Sequence, residues 1–368
     1  MIENNPGTEY LREAKLNEPQ IIDNSGTLEW QCPSNIALIK YWGKRTGQLP
    51  QNPSVSFTLK YAITKISVHY QFSSDNIANN HEFIFSGKLN AEFQKRVREF
   101  IYKAEKYFPF LRKLKLIISS ENSFPHDSGI ASSASGFGAL ALALTELEYF
   151  LKGKQIEESF FQKASFIARI GSGSACRSMF GPLVLWGKIT GISASSDYYA
   201  VPLRYSVHPV FNEYRDSILI TSTAKKTVSS SQGHLLMDSH PYAHAHFEQS
   251  MKHTRILLDA IKTGDLDTFI FITEQQALAL HAMMMTSNPG YMLMKPETLR
   301  VIDIIRNYRS ETGQPVCFTL DAGANVHLLY PGNIESEMIK FIDDELLQYC
   351  ENHLIIHDSV GKGPHKTV

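Results

Sequence analysis

Four short stretches, far apart in the chain, carry side chains able to grip an oxyanion or move a proton. In TLDAGANVHLL (319–329), Asp321 ends the apolar run VCFTL and precedes a run of tiny residues. A carboxylate at such a strand end can act as general base for a hydroxyl, although an Asp that merely opens a turn fits equally well. In CPSNIALIKYWGKR (32–45), Lys40, Lys44 and Arg45 lie within six positions, beside Tyr41, Trp42 and Gly43. Lysine there can act as a point charge on phosphate or carboxylate, or can simply reach solvent from a half-buried strand. In ARIGSGSACRSMFGP (168–182), Ser172, Gly173 and Ser174 offer hydroxyls and backbone N–H groups, and Arg177 a planar fork for an oxyanion. In FPHDSGIASSASGFGALA (124–141), Gly129 suits a tight turn and Ser132, Ser133 and Ser135 can cap the helix that follows. The unpaired N–H groups and partial positive charge of such a helix start suit phosphate.

These stretches must be held by an interleaved α/β framework. Strands are expected around 64–72 (TKISVHYQF), 82–86 and the run LKLIIS, with a helix at about 90–107. The serine-rich loop feeds a helix to about Phe150, and a second helix spans roughly 157–169. Further strands are expected near 182–187 and 217–222, then helices at 245–262, 266–284 and 296–310. VCFTL, HLLY and HLIIH read as strands, with a helix at 334–348. A break near 204–216 suggests two α+β lobes, 30–205 and 206–368, behind a polar, loosely held extension at 1–29.

Composition narrows the function. The 368 residues exceed a single small core, and 43% hydrophobic with 20% charged content is that of a globular protein. Lys plus Arg number 36 against 37 Asp plus Glu, so no overall charge draws the chain to nucleic acid or membrane. Cys32, Cys176, Cys317 and Cys350 form no C-x-x-C pair, which fits a reducing cytoplasm. No apolar run reaches the roughly 20 residues of a membrane span, and the polar N-terminus lacks a signal-peptide core. There is no P-loop and no G-x-S-x-G elbow. Gly136, Gly138 and Ala141 fit G-x-G-x-x-A but fall inside a helical run, not at a strand–helix turn. His240, His244 and His246 lack a matching carboxylate or cysteine set and read as a helix surface more readily than as a metal site.

Taken together, NIALIKYWGK, P-x-x-x-G-x-A-S-S-A-S-G, GSGSACRS and D-A-G-x-N occur here in the order in which they occur in the mevalonate diphosphate decarboxylase family. The chain resembles that family, within the GHMP kinase superfamily, over roughly residues 30–360. The resemblance implies an α+β, two-lobed GHMP kinase fold, with an N-terminal ribosomal-protein-S5-like lobe and a C-terminal α/β sandwich lobe. It implies ATP- and Mg2+-dependent conversion of mevalonate 5-diphosphate to isopentenyl diphosphate, with loss of phosphate and carbon dioxide. By position, Asp321 and Lys40 would be catalytic. Tyr41, Trp42, Gly43, Lys44, Lys88, Ser172, Gly173, Ser174, Ala175, Cys176, Arg177 and Ser239 would surround the substrate. Gly129, Ala131, Ser132, Ser133, Ala134 and Ser135 would wrap ATP, with Ser133 on magnesium. A cytoplasmic homodimer without nucleic-acid or membrane partners is also implied.

The chain departs from the family pattern in three places. His126, Asp127 and Ser128 replace T-A-A before the loop glycine, and Asp127 beside phosphates is unexpected unless it helps hold magnesium through water. Ala324 replaces proline in D-A-G-P-N, which should loosen the turn. After KKTVSSSQG, Ser239 and His240 stand for a Thr-Ser pair, and Pro241 where some bacterial members carry arginine. A monophosphate decarboxylase, a 3-kinase and a non-catalytic sensor of the same fold are the rival readings. Lys44, Lys88 and Arg177 favour two phosphates, and retention of Asp321 with Lys40 favours decarboxylation.

Overall fold

Two antiparallel-rich sheets and the helices packed on them bring the four stretches to one cleft. The computed structural model describes residues 5–16, 25–72, 81–89, 91–125, 130–204, 207–224 and 226–367. Helix α1 (Pro6–Leu16) is followed by strands β1 (Ser25–Ala37), β2 (Lys44–Arg45), β3 (Leu49–Pro50), β4 (Ser54–Phe72), β5 (Glu82–Phe85) and β6 (Lys88–Leu89). Then come α2 (Ala91–Ala104), β7 (Leu114–Asn122), α3 (Ser132–Leu151), α4 (Glu158–Gly171), β8 (Leu183–Trp186) and β9 (Ala200–Pro202). The second half holds β10 (Tyr214–Leu219), α5 (Ser230–Leu236), α6 (Ala243–Thr263), α7 (Leu266–Met285) and α8 (Pro296–Thr312). It ends with β11 (Cys317–Leu320), β12 (Val326–Pro331), α9 (Glu335–Phe341), β13 (Ile355–Ser359) and β14 (His365–Lys366).

The first sheet runs β14-β1-β4-β7-β5-β6, with β8 on β4 and β9 on β8; only β5–β7 is parallel. Residues 66, 68 and 70 of β4 alternate inward and meet Leu116 and Ile118 of β7 under α2, α3 and α4. Helix α3 is buried almost all round, and its Gly138 allows the close approach: a Cβ there would lie 2.5 Å from Cys32 Sγ. The second sheet, β11-β12-β10-β13, is antiparallel throughout and packs under α8 and α9. Ile36, Val55 and Phe57 of the first sheet share a core with Ile218 of the second, with Ile220 just past it, and with Leu257 and Phe269 of α6 and α7. Asp358 adds a polar clasp, accepting the N–H groups of Lys60, Tyr61 and Ala62 at 2.9, 2.9 and 2.7 Å.

Two sequence expectations need correction. Residues 6–16 are helical rather than a loose extension, and Lys163 of α4 reaches Glu13 at 3.8 Å while lying over the Tyr10 ring. Strand β1 begins at Ser25, and β4 starts ten residues ahead of the expected 64–72. Residues 54–59 of β4 are buried throughout and β1 carries Pro33, so neither stretch shows a plain period-two signal. Pro33 is tolerated because the β1–β4 register shifts between Pro33 and Asn35.

Candidate active site

A cleft of about 640 Å³ is lined by the chain after β1, the start of α3, the turn 173–179, the start of α5 and the loop after β11. Lys40 sits where β1 has ended and the backbone must find other partners. Asn52 donates to Lys40 O at 3.0 Å, Ser54 to Ile39 O at 2.6 Å, and Lys40 N–H to Gln276 Oε1 at 3.2 Å. So fixed, the Lys40 ammonium is 1% exposed; it donates to Ala37 O at 2.6 Å and reaches Asp321 Oδ1 at 3.4 Å.

Asp321 follows β11, and its own carbonyl accepts Gly323 N–H at 2.7 Å. It also meets His281 Nε2 at 3.0 Å. The substitution of Ala324 for proline does not leave the turn loose. Thr298 and Thr221 donate to Ala324 O at 2.7 and 2.8 Å, and Ser222 N–H to Asn325 Oδ1 at 3.0 Å. The Asp321 side chain is 29% exposed, open to the cleft. Burial alone would raise its carboxyl, but the Lys40 ammonium, with Lys226 and Arg177 beyond, holds it below the usual carboxylate range. Burial in turn pulls Lys40 below an ordinary lysine despite Asp321 beside it. Burial also keeps His281 neutral, near 4. The pair therefore rests as carboxylate and ammonium, a base facing open space.

Arg177 lies in the turn 173–179 and is 3% exposed. Its Nε and one terminal nitrogen donate to Asn35 Oδ1 at 3.1 and 3.0 Å, the other to Ser54 Oγ at 3.0 Å. Asn35 stands just past the β1 irregularity, a place where such features re-aim side chains at sites. A guanidinium has five N–H groups, so two remain to meet an oxyanion in the cleft. Ser172, Gly173 and Ser174 line the wall beside it. Gly173 is required there, because a Cβ would fall 2.6 Å from the Tyr41 hydroxyl.

At the other side α3 begins with Ala131 as an N-cap that offers no side-chain bond; Ser132 N–H turns back to Ile130 O at 2.6 Å and Ala134 N–H to Ala131 O at 2.8 Å, which leaves the Ser133 N–H without a backbone partner among the described residues. Ser132 and Ser133 line the cleft, and Ser133 Oγ lies 3.4 Å from Ser172 Oγ. These hydroxyls and the Ser133 N–H suit phosphate, and the Ser133 oxygen is a hard donor of the kind magnesium accepts. Among the described residues, no group of three His, Cys, Asp or Glu could hold a metal by itself. Magnesium here fits one protein oxygen plus phosphates.

Of the other expected residues, Tyr41, Trp42, Lys44 and Ala131 line the cleft. Gly43 lies behind them at φ +85°, packed against Phe247. Ala134, Ala175 and Cys176 are buried, and Ser135 is turned inward onto Thr64 at 2.6 Å. Lys88 and Ser239 are exposed and do not line it. Gly129, with His126, Asp127 and Ser128, lies outside the described residues. His240 is buried, engaging Met283 O at 3.0 Å, and His244 is exposed, so these histidines are partly core and partly surface. Sequence reasoning missed Arg96, Gln48, Lys226, Ser229, Ser230, Ser231 and His234, which all line the cleft. Lys226 and the serines sit in KKTVSSSQG, whose density of cations and hydroxyls was the available signal; Arg96 lies on a helix that reads as ordinarily basic.

Comparison with known proteins agrees with this geometry. Residues 32–199 match the diphosphomevalonate decarboxylase-like N-terminal domain, and 217–360 the mevalonate 5-diphosphate decarboxylase C-terminal domain. The diphosphomevalonate decarboxylase of Schizosaccharomyces pombe is 34% identical, covering 82% of this chain and 79% of that protein. That of Saccharomyces cerevisiae is 32% identical, covering 84% and 79%. The mevalonate diphosphate decarboxylase structure from Staphylococcus aureus superposes with TM-score 0.80 at 27% identity, covering 95% of this chain and all of that one. A structure described as MDDEF in complex with MVAPP, AMPPCP and magnesium gives TM-score 0.78 at 28% identity, covering 93% and 99%. With both domain models matched in order around one cleft, the chain belongs to the diphosphomevalonate decarboxylase family, of GHMP kinase fold.

Proposed function

We propose that the chain converts mevalonate 5-diphosphate and ATP to isopentenyl diphosphate, ADP, phosphate and carbon dioxide, with Asp321 and Lys40 as its catalytic pair. The observation that carries the reading is the Lys40–Asp321 contact of 3.4 Å on the wall of a cleft that also presents Lys44, Arg177 and the start of α3. A tertiary alcohol is a poor nucleophile, and its hydroxide a poor leaving group. Asp321 accepts the proton of the 3-hydroxyl as that oxygen bonds to the γ-phosphorus and ADP departs. The proton then passes to solvent. As the C3–O bond breaks and phosphate leaves, the ionised carboxylate faces the positive charge that builds at C3. The C1–C2 bonding pair becomes the C2–C3 double bond, and carbon dioxide is released.

Lys40 holds Asp321 ionised. The two spare N–H groups of Arg177 take the substrate carboxylate, Tyr41 and Lys44 flank the diphosphate, and Ser132 and Ser133 meet the nucleotide phosphates. Ser133 would help hold magnesium, which would supply neutralisation of the charge on the transferring phosphoryl group. Lobes divided near residue 205, a homodimer and a cytoplasmic setting complete the proposal; among the described residues no helix is long and apolar enough to cross a membrane. The test is carbon dioxide and phosphate release with ATP, magnesium and either mevalonate 5-diphosphate or mevalonate 5-phosphate. Release from the diphosphate alone supports the reading, release from the monophosphate alone replaces the substrate, and ADP without carbon dioxide makes the protein a kinase.

A further inference from the structure

Building on that reading, we propose that His234 is a substrate-binding residue whose Nε2–H donates a hydrogen bond to a phosphate oxygen of mevalonate diphosphate. Helix α5 is seated by a capping box, Ser229 with Gln232, and by Gly233, where a Cβ would lie 2.4 Å from the Trp42 ring and 2.5 Å from the Tyr291 hydroxyl. That close approach presses the next residue, His234, against the YWG segment. Its ring centroid lies 4.5 Å from that of Tyr41 and 4.7 Å from that of Trp42. Gly43 N–H donates to Nδ1 at 3.0 Å. Nδ1 is therefore an acceptor, and the ring proton of the neutral imidazole sits on Nε2.

His234 is 8% exposed and lines the cleft, and among the described residues Nε2 has no hydrogen-bond partner. Burial, then the charges of Lys44 and Arg177, keep the imidazole neutral, near 3. A neutral donor suits this place: a second full charge beside Lys44 would repel it, whereas an N–H dipole adds grip on the same phosphate. His234 packs on the rings of Tyr41 and Trp42 and accepts Gly43 N–H, one residue before Lys44, which sets it toward the diphosphate rather than the carboxylate.

The test compares His234→Phe, which keeps the ring stack and loses both polar atoms, with His234→Gln, which can accept from Gly43 and donate to the ligand. Mevalonate diphosphate affinity is read by calorimetry, with KM for both substrates. His234→Phe should weaken mevalonate diphosphate by about ten- to hundredfold, the worth of a hydrogen bond to a charged group, and move its KM far more than kcat. His234→Gln should recover most of that loss, and KM for ATP should hold. Nitrogen-15 NMR of wild type should show Nε2 as the protonated nitrogen, perturbed by mevalonate diphosphate. Unchanged affinity in folded His234→Phe, a proton on Nδ1, no recovery in folded His234→Gln, or an effect on ATP alone would overturn the proposal. If wild type binds mevalonate diphosphate and releases no carbon dioxide, the decarboxylase reading fails, and the affinities of the two variants for mevalonate diphosphate still decide the His234 assignment.

Discussion

Replacing Lys40 with methionine tests the electrostatic core of the account, because the stem is retained and the charge removed. Two unit charges at the observed 3.4 Å attract by about 5 kcal/mol at an effective dielectric of 20. Asp321 is 29% exposed, so solvent reduces this to about 2–3 kcal/mol. Converted to rate, the loss is about 30- to 150-fold in kcat/KM near neutral pH. Without the ammonium, burial is the largest influence left on Asp321 and pushes its carboxyl up, so the acidic limb of the pH–rate profile moves to higher pH. The fold should survive. Removing one partner of a sealed ion pair costs about 3–5 kcal/mol, but this carboxylate opens onto the cleft and water can take the cation's place. Unfolding stability should therefore change by only about 1 kcal/mol. The assay is carbon dioxide release from pH 5 to 10 beside a denaturant curve for each protein. A folded Lys40→Met variant with turnover within threefold of wild type and an unmoved acidic limb would refute the reasoning.

The remaining predictions concern neighbouring groups. Because burial lowers the Lys40 ammonium, wild-type activity should fall with rising pH before an ordinary lysine would titrate; Lys40's own contribution to stability rises over that window, so activity is lost without unfolding. Lys40→Arg should move that alkaline limb upward in the same pH–rate measurement. Arg177→Gln should raise KM for the substrate by roughly tenfold or more, since a bidentate grip and the brace to Asn35 go together; steady-state kinetics with varied mevalonate diphosphate reads it. Gly173→Ala should displace the Tyr41 ring and weaken substrate binding, with little change in the ATP dissociation constant. Asp358→Ala removes the acceptor of four backbone N–H groups, those of Lys60, Tyr61, Ala62 and Ser359, and should lower unfolding stability by about 3 kcal/mol in urea titrations, with the sign of the change unaffected by ligand.

How far the sequence could be read depended on whether a residue's signal was local. Asp321, Lys40 and Arg177 stand in short runs whose chemistry is visible without a fold, and they meet in the cleft. Strand β1 was hard to delimit because it carries Pro33 at a register shift and its inner half, residues 32–37, is buried without alternation, although it carries Asn35, which braces Arg177. His234 directly follows the hydroxyl-rich KKTVSSSQG but its own type gave no role, and Arg96 had no marking neighbours; packing of α5 on Tyr41 and Trp42, and of α2 along the cleft, brings them in. Lys88 and Ser239 are the opposite case. Their types suited an anion, but both side chains point to solvent in the structure. Ala324 was expected to slacken its turn, and two threonines distant in sequence hold it instead.

The most direct measurement is single-turnover release of labelled carbon dioxide from C1-labelled mevalonate 5-diphosphate, comparing wild type with Asp321→Ala under saturating ATP and magnesium. The account predicts stoichiometric release by wild type. It predicts a loss of several orders of magnitude in the variant, with ATP binding and thermal unfolding preserved. Release by Asp321→Ala at a rate near that of wild type would contradict the assignment of the carboxylate as the base, and with it the central claim.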